Sequence, residues 1–95
     1  MTMKNDKQLF EELYEALLKV ETKQEMAFFL DDLCTIKELE SMAQRLKAAK
    51  MLLADKTYNE IVEETDISSA TLARVSKCVR YGQGGYRAII TKEDR

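Results

Sequence analysis

Ninety-five residues suit one domain, with enough chain for one core and not for two. No Pro, no Trp, three Gly and only seven per cent aromatic residues favour helices over a sheet. A net charge of −2 excludes a uniformly basic nucleic-acid coat, and the absence of His removes the usual neutral-pH acid–base and the commonest metal ligand, so neither catalysis nor a required cofactor is expected.

Asn5 or Asp6 can cap a first helix running to about Val20. Its apolar residues Leu9, Phe10, Leu13, Tyr14, Leu17, Leu18 and Val20 come largely in adjacent pairs, a stripe broader than one shallow contact needs. Thr22 and Glu25 have capping-box spacing and open a short helix through about Leu33. There Met26, Ala27, Phe28, Phe29 and Leu30 cover most of the circumference, so that helix must be covered from several sides. Thr35 and Glu38 repeat the box ahead of the longest helix, about residues 36–54, where Leu39, Met42, Leu46, Ala49 and Leu53 mark a core stripe with Arg45 at its border.

Residues 57–81, TYNEIVEETDISSATLARVSKCVRY, read as two short helices joined by a tight turn. Thr57 and Glu60 form another box, and Ile61 and Val62 give the first helix a small apolar face. Thr65, Asp66 and Ile67 break it, with Asp66 in the place where such turns often carry a positive-φ glycine. Ser68 is a good N-cap for the second helix. Leu72, Val75 and Val79 fall on one of its faces, with Ala70, Arg74, Lys77 and Tyr81 opposite. Gly82, Gly84 and Gly85 then stop the helix, Tyr86–Ile90 allow one or two more helical turns, and Thr91–Arg95 are expected to fray. The expected domain is single, residues 1–95. It comprises dimerisation and core helices (1–54), a helix-turn-helix (57–81), and a glycine break with a short C-terminal helix or tail (82–95).

Charge is unevenly placed. Residues 1–33 carry four Lys against eight Asp and Glu, and 57–67 carry four acids and no base. Residues 68–91 carry Arg74, Lys77, Arg80 and Arg87 with no acid, the distribution that a phosphate-facing edge requires. A helix of this kind reads double-stranded DNA by placing its start in the major groove. The expected DNA-binding residues are Ser68 at the helix start, then Ser69, Ala70, Thr71, Arg74 and Lys77 in the groove, with Arg80 and Arg87 on phosphates. The rival reading is a helical protein-interaction module, favoured by the acids Glu60, Glu63, Glu64 and Asp66 beside the turn. Large apolar side chains crowd the first 53 residues beyond what one modest core can cover, which points to a homodimer held by the N-terminal helices.

Cys34 and Cys78 are too far apart in sequence for a CxxC pair and read as small buried hydrophobes, so neither a disulfide framework nor a metal site is expected. Gly82–Gly85 lacks the strand and the Lys-Ser/Thr of a phosphate loop. No leader fits the start and no apolar run approaches a membrane span, so a soluble cytoplasmic protein with no membrane partner is expected.

Thr35, Arg45, the stretch LCTIKELESMAQRLKAAKMLL, the hairpin spacing and Ala70-Thr71-x-x-Arg74 together carry a resemblance. From about Leu33 to Lys77 the chain resembles the tryptophan-repressor superfamily, and as a whole it is most similar to the Trp-repressor-related proteins of Gram-positive bacteria. The resemblance implies an all-α helical bundle with a helix-turn-helix, an intertwined homodimer, and a role as a DNA-binding transcriptional regulator, in the first instance a repressor. It also implies that Thr71, with Ser69 and Ala70, faces the operator. In tryptophan-binding members two arginines sandwich the indole near a threonine, and Arg45, Arg74 and Thr35 hold those places here. Two departures bear on L-tryptophan or another small effector. Val75 stands where the family has Gly, and Asp32 falls at an apolar wall position. The reading is a DNA-binding head without the amino-acid ligand that would switch it.

Overall fold

A computed structural model describes residues 6–93, and among these every regular element is a helix. The expected cap Asn5 and the last two residues of the tail lie outside the described residues. The chain divides into two compact units, Met1–Ile36 and Lys37–Arg95.

The first unit contains α1 (Asp6–Leu18) and α2 (Lys23–Leu33). α1 stops short of Val20. The amides of Lys19 and Val20 bond to the carbonyls of Ala16 and Leu17, a tightening to three-residue spacing that ends the helix. Thr22 caps α2 by accepting the Glu25 N–H at 3.0 Å. The Glu25 carboxylate accepts in return from Glu21 N–H at 2.8 Å, so the reciprocal half of the box sits one residue upstream of the cap. Neither helix has a buried residue; Leu9, Phe10, Tyr14, Leu18, Phe28 and Leu33 are all exposed.

In the second unit, α3 (Ile36–Leu53), α4 (Tyr58–Thr65), α5 (Ser69–Tyr81) and α6 (Gly85–Ile90) follow one another. The core is built from Ala48, Ala49 and Met51 of α3, Ile61 of α4, Ile67 of the turn, and Leu72 and Val75 of α5. Leu52, Val79, Tyr86 and Ile90 pack partly against it. The stripe expected on α3 is corrected here. Of its members only Ala49 is buried; Leu39, Met42 and Leu53 are half-buried and Leu46 is exposed. The face that enters the core carries Ala48, Met51 and Leu52, which have the same helical spacing one position round the helix. Likewise only Ile61 of the pair expected on α4 is buried, and Val62 is exposed.

Two turns hold the unit's shape. After α3, Asp55 takes the left-handed conformation (φ 61°) and the Lys56 N–H reaches back to the Met51 carbonyl at 3.0 Å, a helix stop that satisfies terminal carbonyls. After α5, a side chain at Gly82 would collide with the Cys78 carbonyl, and Gly84 has φ 84°, so both glycines are required by geometry.

Candidate nucleic-acid interface

The Thr57 side chain accepts the Glu60 N–H, while the Glu60 carboxylate accepts the Thr57 N–H at 2.9 Å, so the capping box on α4 is complete. These bonds from Thr57, backbone first and hydroxyl second, hold the Glu60 carboxyl below its ordinary pKa.

The turn that follows has no glycine. Asp66 takes φ 59°, its N–H bonding the Val62 carbonyl at 2.8 Å. Three further contacts secure it. The Thr65 hydroxyl donates to the Ile61 carbonyl at 2.7 Å, Ile67 N–H donates to the Thr65 hydroxyl at 3.2 Å, and Gln44 Nε2 donates to the Thr65 carbonyl at 2.7 Å. Ile67, 2% exposed, anchors the turn in the core. Thr65 thus closes the end of α4 on both sides, and Gln44 ties that end to α3.

Ser68 then caps α5, accepting the Thr71 N–H at 3.1 Å and donating its own proton to Thr71 Oγ1 at 2.9 Å. The hydroxyl expected among the DNA contacts is therefore committed to starting the helix. Thr71, half-buried, accepts at Oγ1 and keeps its own proton to donate. Ser69, Ala70, Arg74, Lys77 and Arg80 are exposed along α5, and Arg87 is exposed on α6. With Leu72 and Val75 buried, one face of α5 fills the core and the other leaves a small, polar start with basic residues behind it.

The expected effector residues are less unified. Val75 is 1% exposed and belongs to the core. Arg45 is half-buried and Nη1 donates to Ser41 Oγ at 2.9 Å on its own helix. Arg74, Thr35 and Asp32 are exposed. Among the described residues, no group of three or more His, Cys, Asp or Glu could hold a metal ion, and no helix is long and apolar enough to cross a membrane.

Gln44, Ile67 and Ser76 were not anticipated from sequence. Gln44 lies one turn before Ala48 on the inward face of α3, and an amide placed there needs a partner. That was the available signal.

Residues 8–94 match the family described as Trp repressor protein. The chain belongs to the Trp repressor family. It is 40% identical over 82 residues to the uncharacterized protein YerC of Bacillus subtilis (strain 168), covering 86% of this chain and 79% of that protein. Two solved structures share its fold. One is a candidate Trp repressor from Staphylococcus aureus, with TM-score 0.85, 37% identity, and 94% and 92% of the two chains covered. The other is a TrpR-like protein from Eubacterium eligens ATCC 27750, with TM-score 0.86, 37% identity, and 96% and 98% covered. Trp repressor membership accounts for the all-α architecture and places the chain in a regulator family rather than an enzyme family.

Proposed function

We propose that the chain is a homodimeric, sequence-specific DNA-binding regulator of transcription, a repressor by family, that works without tryptophan. The observation that carries this reading is α5. It is fixed from behind by Leu72 and Val75, capped by Ser68, and presents Ser69, Ala70, Thr71, Arg74 and Lys77 outward with no acid among them. A helix start with small side chains can approach base edges closely. Arg74 then has the reach and the fork geometry for a guanine, and Lys77 for a base or a phosphate. Arg80 and Arg87 supply phosphate contacts on either side of the glycine break.

Dimerisation is supported by α1 and α2, where Leu9, Phe10, Leu13, Tyr14, Leu18, Phe28 and Leu33 are exposed in one chain. Two copies covering each other would set two reading heads on half-sites one DNA turn apart, about 34 Å, the spacing used by dimeric helix-turn-helix proteins including the Trp repressor. Independence from tryptophan is supported by Val75, whose side chain occupies core volume. A melting temperature unchanged by added L-tryptophan is expected; a dose-dependent rise would refute that part.

Capture of genomic fragments on immobilised protein tests DNA binding itself. Retention that falls steeply with salt is expected, because phosphate contacts release counterions. Retention of no DNA, with salt-insensitive retention of one protein, would favour the interaction-module reading, which the exposed acids Glu63 and Glu64 on α4 support.

A further inference from the structure

Tyr81, the last residue of α5, is 81% exposed, more than any other large apolar or aromatic side chain among the described residues of the second unit. Beyond the glycine break Tyr86 packs against the core, whereas the Tyr81 ring stands in water and forgoes the burial that stabilises such a ring. Its direction is set by the helix. The Gly82 N–H donates to the Cys78 carbonyl at 2.9 Å, so helical hydrogen bonding runs through Tyr81. Helical spacing from Arg74 and Lys77 puts Tyr81 on their stripe, opposite the buried Leu72 and Val75. At the next position a side chain would collide with the Cys78 carbonyl, so Gly82 adds nothing beside the ring.

Length decides what that ring can meet. α5 has 13 residues, and at about 1.5 Å each it is about 20 Å long. The major groove is about 8.5 Å deep. A helix whose first turn stands at base edges therefore carries its last turn to the lip of the groove, where phosphates and sugars lie. A phenol suits that place: its O–H donates to a phosphate oxygen, and its ring can lie on a deoxyribose. Being neutral, it displaces no counterion, unlike Arg80 beside it.

We propose that Tyr81 is a positioning residue of the DNA interface, donating its hydroxyl to a backbone phosphate at the groove's edge. This rests on the DNA-binding reading given above and adds to it an uncharged contact. The contact strengthens binding to every sequence and fixes how far α5 enters the groove.

Tyr81→Phe removes the hydroxyl and keeps the ring. Affinity of the full-length protein is measured over a range of salt, on the duplex enriched by the wild-type protein and on a random one. Tyr81→Phe should bind both about tenfold more weakly, with the slope of log affinity against log salt unchanged, whereas Arg80→Ala lowers that slope by about one. Its melting temperature should equal that of wild type, because the hydroxyl lies outside the core. Single methylphosphonates placed in turn along the enriched duplex then locate the contact. At one phosphate flanking each half-site, the substitution should weaken wild type more than it weakens Tyr81→Phe. Wild-type affinity in Tyr81→Phe, or equal penalties for the two proteins at every phosphate, overturns the contact and leaves the DNA reading intact. Failure of the wild-type protein to bind any duplex overturns the proposed function and this contact with it.

Discussion

Thr65 does at this turn what a glycine does by backbone freedom alone. Its hydroxyl and carbonyl together bind Ile61, Ile67 and Gln44, so that Asp66 can hold a left-handed conformation that costs an ordinary residue about 1–2 kcal/mol. Gln44→Ala leaves the part-buried Thr65 carbonyl without that partner, and a loss of about 1–2 kcal/mol in urea unfolding is expected. If stability is unchanged, the amide is not holding the turn. Glu60 gives a pH signature. Its carboxyl is stabilised as the anion by Thr57, so its contribution is present above the unfolded-state pKa and is lost as pH falls through the lower folded value. Glu60→Gln should therefore lose less stability than wild type between neutral pH and pH about 3, read as urea midpoints. A variant whose midpoint falls by as much as wild type would mean that the cap does not depend on the charge.

Among helices, the division of α5 into a buried and an exposed face separates two kinds of DNA contact. Thr71→Ala and Arg74→Ala should reduce discrimination between specific and random duplexes by about 1–3 kcal/mol each. Arg80→Ala should weaken both alike and lower the slope of log affinity against log salt by about one. Equal losses on both duplexes from the first two variants would remove Thr71 and Arg74 from base reading. The caps of α4 and α5 were legible in the sequence because capping is local: Thr57 with Glu60, and Ser68, depend on residues at most three apart. The need for help at Asp66 was also legible, but not where the help came from, since Gln44 lies 21 residues before Thr65. The α3 stripe failed for a related reason. Helical spacing fits Leu39–Met42–Leu46 and Ala48–Met51–Leu52 about equally, and only the position of α4 and α5 decides which enters this core. Ser68 forms the cap on α5 that its place in the sequence marks.

For the molecule as a whole, the all-helical architecture followed from composition and periodicity, and the family match over residues 8–94 agrees with it. Coverage of α1 and α2 is where one chain falls short: Phe10, Tyr14, Leu18 and Phe28 remain exposed, more apolar surface than two solvated helices ordinarily present. Light scattering on the eluting peak should give twice the 11.0 kDa chain mass, and a peak at the single-chain mass would contradict pairing through these helices. Such pairing also gives the reading heads their spacing, so Phe28→Glu should lower DNA affinity through dissociation, an effect recovered at high protein concentration. Selection of duplex sites from a random pool with purified full-length protein brings pairing and reading together. Enrichment of two-fold symmetric half-sites about one DNA turn apart is expected, with enrichment lost when Thr71 and Arg74 are both replaced by Ala. Recovery of an unenriched pool by the wild-type protein, or the same sites from the double variant, would contradict recognition by α5.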